Sequence, residues 1–448
     1  MRAWLKKGFQ WMLYLGIILF LGLASLVGYS YWRVDRALHA YAPRGFARTY
    51  DELVPPAPDE ENGAVVLREM VESIGKPPDN VGKVADCLEP ARADSAACQE
   101  TLAQGMEEAA AWHKEKKPAL HYIEHILEKP KYRINAPASD PDIIFPPLAS
   151  IKLSGIFRLA VLDIHFSLAR RDLDSTTNTI VDYWNFLDYY GRQSRLATTY
   201  AATVVLQQIM LNLVKNFIEK YPFNPQQVAK IFTALQNFHL KEYYAKSLQG
   251  DALLNAIYLN LWRQYFSKDA WLQGTKMEFL ALTALRPFDC LGMYYYNTGL
   301  ADMLEAAYQL QDILSLPSNE GLPRHAVIAR AIDGDNKPAF GHFYPFTPWN
   351  HAALISDTYT SLFTHQARYD LARLHVAVAL HRARHGAPPE ALDSLDRDIL
   401  DPIPRDVFTG EPLSYTAKPD GEFIVESPGL DHYLAEQWRK DQEKTASN

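Results

Sequence analysis

Cysteine is scarce in this chain of 448 residues: there are three, and none forms a Cys-x-x-Cys pair. That excludes a thioredoxin-like redox motif and a zinc site built from paired thiolates. Basic charge is not in excess either. The 45 Lys and Arg are outnumbered by 53 Asp and Glu, the net charge is −8, and no run of Lys and Arg offsets it. Phosphate-backbone recognition shows as a basic excess or patch, so nucleic acid is not an expected partner. Also missing are a Gly-x-Ser-x-Gly elbow, a phosphate-binding Gly-rich loop, a His-Glu-x-x-His motif and a dinucleotide fingerprint. The common hydrolase, nucleotide and dehydrogenase signatures have no carrier here. What remains is ordinary globular composition, 48% hydrophobic and 22% charged, with enough length for more than one structural unit.

One long apolar run is present. From Phe9 to Trp32 there is no charged residue, and Trp11 to Gly28 is almost entirely apolar. About 20 such residues, rising about 1.5 Å each, cross a hydrocarbon core of about 30 Å. Trp4, Phe9 and Trp11 on one side and Tyr29, Tyr31 and Trp32 on the other suit the two membrane interfaces. Arg2, Lys6 and Lys7 precede the run and Arg33 and Arg36 follow it, a modest asymmetry. The short leading segment and its free amine favour an N-inside, C-outside orientation. A cleaved signal peptide is the alternative, with Gly22 and Ala24 as the small-residue site. The run continues past them and exceeds the roughly 7–15 residues of a signal core. The expectation is an uncleaved anchor over residues 9–32, with 1–8 cytoplasmic and membrane lipid as a partner. No cysteine near the end of the span offers a lipid attachment point.

Export would place Cys87 and Cys98, eleven positions apart, in an oxidising compartment. A disulfide and a pair of free thiols in a surface loop both fit that spacing. Cys290 reads as a small buried hydrophobe.

Beyond the anchor, residues 33–62 read as a juxtamembrane segment and a spacer stiffened by Pro55, Pro56 and Pro58. Residues 76–100 read as an irregular connection, and 63–350 as a body of antiparallel helical hairpins. Leu159, Leu162, Phe166 and Ala169 recur at helical spacing, as do Ile180, Trp184 and Leu187, and Leu206, Met210, Leu213 and Phe217. Asn224-Pro225-Gln226-Gln227 is a helix start: Asn caps, Pro fits the first turn, and Gln follows three residues on. With Tyr221-Pro222 ending the helix before it, 195–239 reads as a helix–turn–helix hairpin, and helices are expected over 241–266 and 298–315. Residues 351–433 read as a long helix stopping at Gly386 and then a β-hairpin of Leu413–Ala417 and Glu422–Glu426, turning at Lys418-Pro-Asp-Gly421. Residues 434–448 read as a polar tail, frayed from Gln437 on. The fold class is mainly α, with an N-terminal transmembrane helix and a small C-terminal β-hairpin.

His121-Tyr-Ile-Glu-His125 matches the inverted zinc-protease pattern, with Glu124 in the base position, but no Glu occurs between Glu128 and Glu219 to supply the third ligand. His381 and His385 lie one helical turn apart, with His375 on the same helix and His365 another turn away. No Cys or carboxylate is placed in sequence to complete a site, so solvated histidines beside Arg373, Arg382 and Arg384 are the plainer reading. Asp393, Asp396, Asp398, Asp401 and Asp406 cluster without an Asp-x-Asp-x-Asp-Gly loop, which favours a cap and surface ion pairs over calcium. Tyr294–Tyr296 and His342–Trp349 are aromatic clusters, suited to a ligand groove or to packing. No catalytic residue, metal site or cofactor is assigned; Cys87 and Cys98 are the one pair singled out.

The C-terminal stretch carries a resemblance. Leu374–Leu380, then His385-Gly-Ala-Pro-Pro-Glu-Ala-Leu-Asp-Ser-Leu395, then Asp406-Val-Phe-Thr-Gly-Glu-Pro-Leu-Ser-Tyr415 resembles a pattern of uncharacterised bacterial membrane-anchored helical proteins. More loosely, it is similar to the C-terminal domain of type II secretion major pseudopilins. Ala169–Asp174 and Leu285–Pro287 extend the first resemblance over most of the chain after about residue 50. Val407 stands where that pattern has proline, and Ser427–Asp431 replaces the pseudopilin Gly-x-Asp-Gly. The N-terminus also lacks a prepilin cleavage site, so pilin-like polymerisation and that family's calcium site do not carry over. The resemblance implies a bacterial inner-membrane protein with its body in the periplasm, and it implies no activity. The expected function is a non-catalytic scaffold or partner-binding subunit of an envelope assembly. The alternatives are a periplasmic hydrolase with a His/carboxylate site and a ligand-binding module with an aromatic groove.

Overall fold

The computed structural model describes residues 2–41, 52, 55–89, 95–133, 147–193, 197–236, 238–250, 297–314, 316, 318–333, 348–419 and 421–447. The chain is mainly helical, with a two-stranded antiparallel hairpin near the C-terminus. It divides into two compact units. The first comprises Met1–Leu53, Leu248–Ser315 and Arg324–Asp357, the second Val54–Ser247, Leu316–Pro323 and Thr358–Asn448.

In the first unit, α1 (Arg2–Tyr41) is a continuous helix. Tyr14, Ile18, Leu21, Leu26, Tyr29 and Trp32 are exposed along it. One turn, Ser30 to Val34, is instead held by the helical residues 297–314. Ser30 and Val34 are buried, Asn297 Nδ2 donates to Ser30 Oγ at 3.0 Å, and Arg33 pairs with Asp302 at 2.8 Å. That supporting helix buries Leu300, Met303, Leu304, Ala307 and Leu310.

The second unit holds α2 (Gly63–Ile74), α3 (Asp79–Cys87), α4 (Ala96–Lys116), α5 (Tyr122–Leu127), α6 (Pro147–Ala169), α7 (Leu173–Gln193), α8 (Ala197–Lys220) and α9 (Pro225–Gln236). Residues 318–323 of α10 (Ser318–Asp333) and 358–385 of α11 (Pro348–His385) also belong to it, as do β1 (Ser414–Ala417), β2 (Phe423–Glu426) and α12 (Pro428–Ser447). Residues 240–250 are also helical. Helix α7 is the hub, packing against α5, α6, α8 and α9. Its Ile180, Tyr183, Trp184, Phe186 and Leu187 are all buried, because its apolar and aromatic residues spread around more than one face.

The Asn224 start signal is realised as a reciprocal cap. Asn224 Oδ1 accepts the backbone N–H of Gln226 and Gln227, while Gln227 Oε1 accepts the N–H of Asn224 at 2.9 Å. Helices α8 and α9 both pack on α7 more than on each other. Within α8, Thr199–Lys220 is long and apolar enough to cross a membrane; half of it is buried inside the protein, as in a core helix.

Residues 76–100 differ from the irregular connection expected. They contain α3 and the start of α4, because Val81, Val84 and Ala85 line one face and Gly105 lets α4 approach it. A Cβ on Gly105 would lie 2.5 Å from Val84 Cγ2. Ser95 caps α4 by accepting the N–H of Cys98, and Cys87 and Cys98 form a disulfide between the two helices.

The C-terminal tail also differs from expectation, being helical to Ser447. Ser427 Oγ accepts the Leu430 N–H, Pro428 occupies the first turn and Asp431 adds charge there, so the helix has a strong start. The hairpin register pairs Ser414 with Glu426 and Ala417 with Phe423, and Gly421 turns the chain at φ +84°. Residues 251–266, 285–287, Cys290, Tyr294–Tyr296 and His342–Phe346 lie outside the described residues.

Candidate functional site

The last turn of α11 carries His381 and His385, and Gly386, at φ +83°, ends the helix and sends the chain back past it. The returning segment is fixed by Leu395, Ile399 and Leu400, all buried, and by the 3₁₀ turn Leu392–Ser394. Between these anchors sits Asp396. Its Oδ2 accepts from His385 Nε2 at 2.9 Å, and its Oδ1 lies 3.6 Å from His381 Nδ1. The imidazole rings lie 4.4 Å apart at 40°. One ligand atom from each of the three residues falls within 4.8 Å of the other two, the one such group of three or more among the described residues. The Arg384 guanidinium is 3.9 Å from Asp396 but is drawn off by Asp398 at 2.9 Å.

The other histidines do not join this group. His375 is buried between Glu219, at 3.2 Å, and the Phe423 ring. Burial, and then the charges of Lys215 and Arg382, push it down to about 3. His365 is likewise pushed down by burial, and then by Arg368, to about 4. At the other candidate, His121 and His125 bring their Nε2 atoms to 3.0 Å on an exposed surface. Glu124 lies 3.2 Å from His121 Nδ1 and Glu128 lies 3.8 Å from His125 Nδ1, so each carboxylate backs a ring and leaves the meeting point with two nitrogens alone.

The aspartate cluster of the C-terminal region is shared among separate partners. Asp396 serves the histidines and Asp398 serves Arg384. Asp406 is buried, accepting the N–H groups of Phe408 and Thr409 on Oδ1 and the Ser427 hydroxyl and the Gly429 N–H on Oδ2. These four donors engage both oxygens of the carboxylate. Tyr415 hydroxyl donates to the Pro389 carbonyl at 2.6 Å, which ties the two motifs of the C-terminal pattern together.

Two further buried carboxylates, Asp163 and Asp188, carry no local signature in the sequence. Asp163 on α6 meets His113 Nε2 at 2.9 Å, Lys117 Nζ at 2.7 Å and Thr179 Oγ1 at 2.7 Å. Burial by itself would raise its pKa; the hydrogen bonds from His113, Lys117 and Thr179, with the Lys117 charge, prevail and hold it at about 2. Asp188 on α7 meets the Tyr243 hydroxyl and Arg192, the latter at 2.8 Å, with His239 3.9 Å away. Here burial prevails over Arg192 and His239 and raises the carboxyl to about 6. His113 comes to Asp163 from 50 positions away and Tyr243 to Asp188 from 55, and no local pattern marks such pairings.

Comparison of the chain with protein families, with curated proteins and with solved structures returns no match.

Proposed function

We propose that this chain is a single-pass envelope protein whose mainly helical body lies outside the cytoplasm and binds partner proteins in an inner-membrane assembly. The carrying observation is α1. Six large apolar or aromatic residues between Tyr14 and Trp32 are exposed on it, and exposed apolar surface of this kind marks lipid or protein contact. Lipid is favoured because the run from Phe9 to Trp32 is free of charge and flanked by interfacial aromatics. The Cys87–Cys98 disulfide supports an oxidising compartment for the body. The pattern from His385 to Tyr415 supports kinship with membrane-anchored envelope proteins.

The test is fractionation followed by purification. The proposal expects the protein in the membrane pellet after alkaline carbonate washing, released only by detergent, with defined proteins co-purifying in mild detergent. Recovery in the carbonate supernatant would contradict the anchor. Recovery from detergent as a lone monomer would contradict the partner-binding role.

A further inference from the structure

The strongest unassigned feature is the group at the end of α11. We propose that His381, His385 and Asp396 form a binding site for a divalent first-row transition-metal ion, with Zn²⁺ as the reference ion.

Three observations carry it. The first is composition and approach: two imidazoles and one carboxylate lie with a ligand atom of each within 4.8 Å of the others. Donors about 2.0–2.2 Å from a tetrahedral zinc lie a little over 3 Å apart, so the group needs only a small closure. The second is a buried polar atom. His381 Nδ1 is buried and has no hydrogen-bond partner among the described residues, although it lies 3.6 Å from Asp396 Oδ1. A buried imidazole nitrogen left without a partner is costly, and a metal ion would satisfy it. The third is support. His381 and His385 share one turn of a long helix, and buried Leu395 and Ile399 flank Asp396, so all three donors stand on fixed elements.

The donor set selects the ion. Imidazole nitrogen suits zinc, copper, nickel and iron, whereas calcium and magnesium require oxygen donors. Three protein ligands leave a fourth position, and half-exposed His385 leaves the group open to water on its side. The Asp396 carboxylate lies 2.9 Å from His385 Nε2, and ligation through that nitrogen places the imidazole proton on Nδ1.

The test uses purified full-length protein stripped by chelator. The exposed His121/His125 pair is removed first by His121→Ala and His125→Ala, so that its two nitrogens do not contribute. In this background titration calorimetry with Zn²⁺ is expected to give one site per chain, and Co²⁺ is expected to give the visible bands of a four-coordinate ion. Asp396→Asn keeps the side chain's shape and removes the charge. His385→Gln alters a half-exposed residue and keeps a polar side chain there. Each is expected to weaken Zn²⁺ by at least the roughly 10–100-fold that loss of a supporting group costs a metal site. Excess Ca²⁺ or Mg²⁺ is expected not to compete. No Zn²⁺ site in the background protein, or a site indifferent to both substitutions, would overturn the proposal. Such a failure would leave the membrane reading intact, because α1 shares no residue with this group.

Discussion

The Ser427 hydroxyl donates to Asp406 Oδ2 at 2.8 Å, joining the loop before β1 to the start of α12. The same oxygen accepts the Gly429 N–H at 2.8 Å, while Oδ1 accepts from Phe408 and Thr409. One buried carboxylate thus organises a turn and a helix cap together. Asp406→Ala is expected to destabilise the protein by about 2–4 kcal/mol, since it leaves several buried donors unpaired. Gly429→Ala tests the same relationship from the other side. Its Cβ would lie 2.5 Å from Asp406 Oδ1 and 2.8 Å from Phe408 Cβ, so a loss of about 1–3 kcal/mol is expected. Denaturant midpoints of both variants check this; an unchanged midpoint in Asp406→Ala would contradict the role.

Much of this region was legible in sequence because its signals are local. Lys418-Pro-Asp-Gly421 announces a turn, and Asn224 with Gln227 announces a cap, because the partners lie within three residues of one another. The cysteine spacing likewise left a short bridge open. The helices around those cysteines were not legible, since three small or β-branched residues make a weak helical face until Gly105 admits a neighbour. Nor was the Asp396 donor: Gly386 and Pro388-Pro389 intervene, and only the return path of the chain brings it beneath His381. Asp163 meets His113 and Lys117, and Asp188 meets Tyr243, across more than forty positions, beyond the reach of periodicity.

Asp163 sets a pH dependence with a definite sign. Its folded-state pKa, about 2, lies below its ordinary value, so the stability it confers is present above about pH 4 and is lost as pH falls through 2. The stability difference between wild type and Asp163→Asn is expected to be largest at neutral pH and to shrink toward pH 2. Paired denaturant titrations across pH 2–7 measure it, and a difference that grows on acidification would contradict the assignment.

Asp188 has the opposite sign. Burial raises it to about 6, so the folded state holds its proton more tightly than the unfolded chain does. Its contribution to stability therefore falls as pH rises from about 4 to about 6 and is flat above that. Asp188→Asn is expected to remove this decline. Asp370, raised to about 6 chiefly by burial, contributes a second decline over the same window, so the single variant removes only part of it. Comparing Asp188→Asn with wild type at pH 4.5 and 7 decides: the variant gains on wild type at the higher pH.

The Cys87–Cys98 bridge closes a short loop between α3 and α4. Restricting a loop of this length in the unfolded chain is worth about 3 kcal/mol on the chain-entropy account. Cys87→Ser with Cys98→Ser is expected to lower the unfolding free energy by that order, and a reductant is expected to act on wild type but not on the double variant. Equal stability of the reduced and oxidised proteins would contradict it.

The exposed apolar face of α1 bears most directly on the account, and protease accessibility in spheroplasts tests it. With an epitope at Asn448, external protease is expected to remove the tag from intact spheroplasts, and a fragment containing α1 is expected to stay in the membrane. A tag that resists protease until the spheroplasts are lysed would contradict a membrane-anchored body outside the cytoplasm.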